Sequence, residues 1–240
     1  PGVPTVQETL EAALSRVADH PVSTVCAGRT DAGVHASAQV VHFDTHAVRP
    51  LRAWVMGVNS LLPADVAVQW AREVGPDFHA RFSARYRRYR YLVLTRAQRS
   101  ALAAGSVCLE RRPLDAPRMH EAAQCLLGER DFSAFRGAGC QSRTPMRRLD
   151  RIAVSRAGEL LTIEVEANAF LLHMVRNIAG SLLAVGTGER PPQWLAGVLE
   201  SRDRTLAGAT APAQGLYLVD VGYDARHGLP RPPAGPWFAC

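Results

Sequence analysis

Residues 27–36 read Ala-Gly-Arg-Thr-Asp-Ala-Gly-Val-His-Ala, so two glycines bracket a cation, a hydroxyl and a carboxylate at Arg29, Thr30 and Asp31. Glycine allows positive φ and close backbone approach, which predicts a tight turn that presents Asp31 between two strands. Taken alone, an Asp in such a turn commonly bonds its own backbone. What lifts it is a second signal far along the chain. Arg176 is the only charged residue in the apolar stretch Ala169 to Val185. A guanidinium held there needs an anion, because an unpaired buried ion costs several kcal/mol, unless the side chain snorkels to solvent. His173, Arg176, Asn177 and Gly180 share a helical face by their spacing, and Gly180 leaves room for another backbone. Asp31 is the expected partner of Arg176.

A third signal runs from Phe78 to Thr95. Seven Arg and no acidic residue fall between positions 81 and 99, interleaved with Tyr86, Tyr89 and Tyr91. Aromatic rings stack on splayed bases while guanidinium groups meet phosphates, which is how single-stranded or looped RNA is held. Arg143, Arg147, Arg148 and Arg151 form another basic cluster, and Arg202 with Arg204 a third. The plainer account is an exposed basic strand with half-buried tyrosines.

Other chemistries find no pattern. There is no Gly-x-Gly-x-x-Gly and no Gly-Lys-Ser/Thr, so no nucleotide cofactor is expected. His35, His42 and His46 lie near Asp44, yet no His-Glu-x-x-His occurs, and no metal is expected. A nucleophile elbow and a glycosidase carboxylate pair are likewise missing. A metal-dependent hydrolase built on the three histidines remains the reading that a chelator would test.

The elements that must carry these residues fit one large domain or two small ones in 240 residues with 47% apolar content. All 28 basic residues are Arg, against 22 acidic, for a net charge of +6. The missing Lys reads as compositional bias, but the excess charge favours a polyanionic partner. No apolar run is long enough to span a membrane and no signal peptide opens the chain, so a cytoplasmic setting is expected. Five scattered cysteines read as reduced thiols.

Thr5 and Glu8 predict a capping box for a helix to about Ala18. Val22 to Ala27 and Gln39 to Phe43 read as strands joined by a loop, Leu51 to Leu61 as a helix, and Asp65 to Glu73 as a strand by alternation. Phe82 to Thr95 predicts one long strand, Arg99 to Pro113 a connection, and Asp115 to Leu127 a helix stopped by Gly128. A hairpin through Ala157-Gly158, helices over Ala169 to Val185 and Pro191 to Leu199, and a strand from Leu216 to Tyr223 complete the pattern. The tail Arg226 to Cys240 is expected on the surface. The expected architecture is α+β, with a half over 1–78 carrying the Asp31 loop, the Arg and Tyr strand and its connection over 79–113, and a second half over 114–224. A tail follows over 225–240, and the natural site is the cleft between the halves.

Several segments together resemble one family. The loop Gly28 to Ala36, Phe78 to Ser83, Arg88-Tyr89-Arg90-Tyr91, Asp131-Phe132-Ser133 to Arg136, Cys140 to Pro145, Asn168-Ala169-Phe170 with His173 to Asn177, and Gly215-Leu216-Tyr217 occur in the order found in tRNA pseudouridine synthases of the A type. The resemblance covers most of residues 5–223. It implies isomerisation of uridines 38 to 40 in the anticodon stem and loop, by a homodimer that needs no cofactor and no metal. It assigns Asp31 as nucleophile, Arg176 as its basic partner, Tyr89 as the ring that stacks on the target base, Arg29 as an aid to extruding the nucleotide, and Leu216 to the pocket. Arg81, Arg88, Arg90 and Arg143 would meet the RNA backbone. Two ferredoxin-like halves around a mixed, mostly antiparallel sheet are implied, with helices on one side and a basic cleft. Family members open with a Tyr-Asp-Gly strand and a Gly-Trp-Gln segment that have no counterpart ahead of Thr5, so the chain is read as starting inside its first half. A non-catalytic RNA-binding module using the same surface is the alternative.

Overall fold

In the computed structural model, residues 5–231 and 233–236 are described, so Cys240 and the end of the tail lie outside the described residues. The chain forms two compact units. One comprises Pro1–Gly28, Val40–Ala84 and Tyr223–Pro232; the other comprises Arg29–Gln39, Arg85–Gly222 and Pro233–Cys240.

The first unit begins with helix α1 (Val6–Ala18). Its Thr5 hydroxyl accepts from the Glu8 N–H while the Glu8 side chain bonds back to Thr5, the capping box read from the sequence. Leu10, Ala13 and Leu14 pack with Val22, Trp54 and Val58 in a small core. The two-residue strands β1 (Val25–Cys26) and β3 (Val41–His42) pair antiparallel. The helix around Ala53–Gly57 is a π turn. Asp65 to Glu73 corrects the expectation of a strand: Val66, Val68 and Trp70 alternate as half-buried positions, but no ladder forms. The Asn59 amide bonds both the N–H and the carbonyl of Val68, doing with a side chain what a neighbouring strand would do.

The second unit is built on a mixed, mostly antiparallel sheet of seven strands, giving an α+β fold. Its strands are β2 (His35–Ala36), β4 (Tyr86–Thr95), β5 (Cys108–Glu110), β6 (Gly128–Asp131), β7 (Met146–Ala157), β8 (Leu160–Ala167) and β9 (Leu216–Gly222). The order is β2-β9-β4-β8-β7-β6, with β5 beside β4; the pairings of β2 with β9 and of β5 with β4 are parallel. The β7–β8 hairpin turns where expected, with Gly158 at φ +59°. Three helices, α2 (Ala116–Ala123), α3 (Met174–Gly186) and α4 (Trp194–Ser201), pack with the face that carries Tyr89, Tyr91, Ile163 and Val165. Asp115 caps α2 by accepting from the Arg118 N–H.

The helix expected from Ala169 starts instead at Met174, because His173 has φ +59°, a conformation that cannot continue a right-handed helix. Gly180 on α3 admits another backbone, as its spacing suggested. A Cβ there would sit 1.7 Å from the Ala209 carbonyl oxygen. Gly180→Ala must therefore displace main chain rather than a side-chain tip, and should cost about 3 kcal/mol of stability, measured by chemical denaturation.

Candidate active site

Asp31 opens a turn in which the Val34 N–H donates to the Asp31 carbonyl at 3.0 Å and Gly33, inside the turn, takes φ +80°. The loop leads into β2, whose parallel pairing with the first residues of β9 fixes its place. The side chain is neither buried nor free, with 27% exposure.

The guanidinium of Arg176 meets it. Nη1 donates to Asp31 Oδ2 at 2.9 Å, while Nε donates to the Ala211 carbonyl at 2.8 Å. The Ala211 N–H in turn donates to the Arg176 carbonyl at 3.1 Å, so one residue holds both the main chain and the side chain of Arg176. The Arg176 side chain is 16% exposed, a partly dry setting that strengthens the pair over one in open water. Among the described residues, nothing bonds Asp31 Oδ1.

Asn177, the next residue on α3, is fully buried and organises the strap that carries Ala211. Its amide donates to the Phe135 carbonyl, and its Oδ1 accepts from Arg204 Nη2 at 3.0 Å and from the Thr210 hydroxyl at 2.7 Å. Thus Arg204, read as part of a surface cluster, also positions the strap. The Ser181 hydroxyl accepts from the Gly208 N–H at 2.9 Å, just past the Gly180 approach.

On the sheet, Tyr89 and Tyr91 point to the helix-covered face. Tyr89 is 7% exposed and meets Phe170 edge-on at 5.0 Å. Leu216, opposite Tyr91 at the start of β9, is also buried. Burial, then the adjacent Cys108, push the Tyr91 phenol far above its ordinary range, so it stays protonated and donates to the Pro212 carbonyl at 2.8 Å. Cys140 goes the other way. Burial raises it, but the Leu172 and Ser142 N–H groups and the Arg136 guanidinium outweigh that and lower the thiol below its usual value.

The remaining predicted residues divide sharply. Arg29, Arg81 and Arg143 are exposed. The Arg81 guanidinium lies 5.7 Å from the centre of the Phe82 ring, itself 77% exposed. Arg88 and Arg90 alternate with Tyr89 and so face away from it. Each meets a carboxylate on the neighbouring strand β8, Arg88 with Glu166 at 2.7 Å and Arg90 with Glu164 at 2.8 Å. These acids could not be seen from the basic strand alone, because they are far away in sequence and become cross-strand neighbours only in the β4–β8 register. Each of the three histidines has its own ring contact: His35 stacks on Tyr217, His42 meets His79, and His46 stacks on His20.

The comparisons converge. A family model described as tRNA pseudouridine synthase matches residues 1–83 and 122–224. A tRNA pseudouridine synthase A from Tolumonas auensis is 56% identical over 237 residues, covering 98% of this chain and 91% of the relative. Relatives with the same name from Cronobacter sakazakii and Vibrio campbellii are each 56% identical over 236 residues, covering 98% of this chain and 87% and 89% of their own lengths.

Proposed function

The chain belongs to the tRNA pseudouridine synthase family, an isomerase family, and we propose that it converts uridine to pseudouridine at positions 38 to 40 of the anticodon stem and loop, with Asp31 as nucleophile. The observation that carries this reading is one carboxylate with Oδ2 held by Arg176 at 2.9 Å and Oδ1 without a partner among the described residues. A carboxylate gripped by one oxygen offers the other for bond formation.

The chemistry needs little else. The bond from ribose C1′ to uracil N1 breaks, the ring turns, and C5 joins C1′; C5 gives up its hydrogen and N1 gains one. No redox change or energy input is involved. Oδ1 forms its transient bond to C1′ or to C6, and the roles of Arg176 and Tyr89 are the same in both routes. Tyr89 would hold the base, Leu216 would close the pocket, and Arg29 would fill or pin the site vacated when the nucleotide leaves its stack. Exposed Arg81 and Arg143 would take phosphates. Arg88 and Arg90, already paired with Glu166 and Glu164, serve the sheet in this reading. We take the working form to be a homodimer in the cytoplasm.

The test is tritium release from tRNA carrying 5-tritiated uridine, with the modified position mapped. Expected is stoichiometric release and pseudouridine confined to positions 38 to 40. Binding of tRNA with no release would favour the non-catalytic RNA-binding module instead.

A further inference from the structure

Asp31 has a second neighbour that the chemistry above leaves unused. His173 Nε2 lies 3.3 Å from Asp31 Oδ2, the same oxygen that Arg176 holds. His173 occupies the N-cap of α3 at φ +59° and makes no side-chain capping hydrogen bond. It therefore does not do what N-cap side chains are ordinarily selected to do. A bulky residue in the left-handed region is strained, and such strain persists only where surrounding contacts impose it.

Those contacts are present. The Gly137 N–H donates to the Leu172 carbonyl at 2.8 Å, and the Leu172 N–H donates to Cys140 Sγ at 3.5 Å, pinning the turn just before the histidine. Gly137 lies directly behind the ring, where an added Cβ would come within 3.0 Å of Nδ1. With Nδ1 backed by Gly137, Nε2 is the nitrogen that faces the carboxylate. Arg176 follows three residues later in the first turn of α3, and its Nη1 and the His173 Nε2 both approach the same carboxylate oxygen.

We infer that His173 is a positioning residue, which with Arg176 fixes Oδ2 and so leaves Oδ1 as the oxygen that bonds to the uridine. This rests on the reading of Asp31 as nucleophile. One donor alone lets a carboxylate swing about its Cβ–Cγ bond; two donors on one oxygen set its rotation, and the 3.3 Å approach is of the kind that tightens when substrate fills a site.

Two substitutions separate this role from a merely structural one. Asn suits a left-handed backbone but is too short to reach Asp31; Gln suits that backbone poorly but carries an N–H that reaches. Single-turnover rates on tRNA should fall roughly 10- to 100-fold in His173→Asn, and His173→Gln should recover most of that loss, with tRNA affinity unchanged in both. Gly137→Ala, which pushes the ring without touching a charge, should lower the rate in the same sense. A wild-type rate in His173→Asn, or equal losses in Asn and Gln, overturns the inference. Asp31→Asn measured alongside keeps the failures apart, since turnover there would defeat the nucleophile assignment itself.

Discussion

Asp31→Asn should abolish pseudouridine formation, lowering the single-turnover rate by about 10⁴-fold or more, while tRNA binding stays close to that of the unsubstituted protein. The amide fills the same space, and the turn is held by the Val34 N–H and by Gly33 rather than by the side chain, so the loop should survive. What disappears is the negatively charged oxygen able to form a bond. Arg176 keeps the Ala211 carbonyl, so α3 and the strap keep their link. Turnover near the normal rate would remove Asp31 from the chemistry.

Arg176→Ala should produce the second largest loss, about 10²- to 10³-fold in the rate of the chemical step with a much smaller change in affinity. It deletes the contact at 2.9 Å to Oδ2 and, together with it, the anchor on Ala211. Arg176→Lys should recover only part of the rate. A single ammonium on a flexible stem is a poor match for two acceptors met by separate nitrogens of a planar fork. The measurement is single-turnover kinetics paired with filter binding. An affinity loss matching the rate loss would mark Arg176 as an ordinary phosphate contact.

The parts of this molecule that were legible in its sequence are those fixed by short-range chemistry. Thr5 and Glu8 announced α1, Asp115 announced α2, and Ala157-Gly158 announced the β7–β8 turn. The Arg176 partnership was legible for a different reason: a charge in an apolar helix demands compensation, and the sequence offered a candidate in a glycine-bracketed loop. Long-range geometry was not legible. Strands β2, β5 and β6 are two to four residues long; β2 exists only through a parallel partner far along the chain, and β5 only through its parallel pairing with the preceding β4. The start of α3 was misplaced because nothing in the type of His173 signals a left-handed backbone, and its approach to Asp31 depends on the same hidden angle. The pairing of Arg88 with Glu166 and of Arg90 with Glu164 was not legible either, because a list of cations does not disclose the acids facing them.

The strap from Ala207 to Gly215 has one further consequence. By composition it is a loop of the kind where chains accept added residues. Yet Gly208 is fastened to Ser181, Ala209 lies against Gly180, Thr210 reaches Asn177, Ala211 clasps Arg176, and Pro212 receives Tyr91. Each step along it is spoken for in turn, like teeth on a rack. Lengthening it by even one residue would slip every later tooth, so tags and grafted peptides belong elsewhere on this protein.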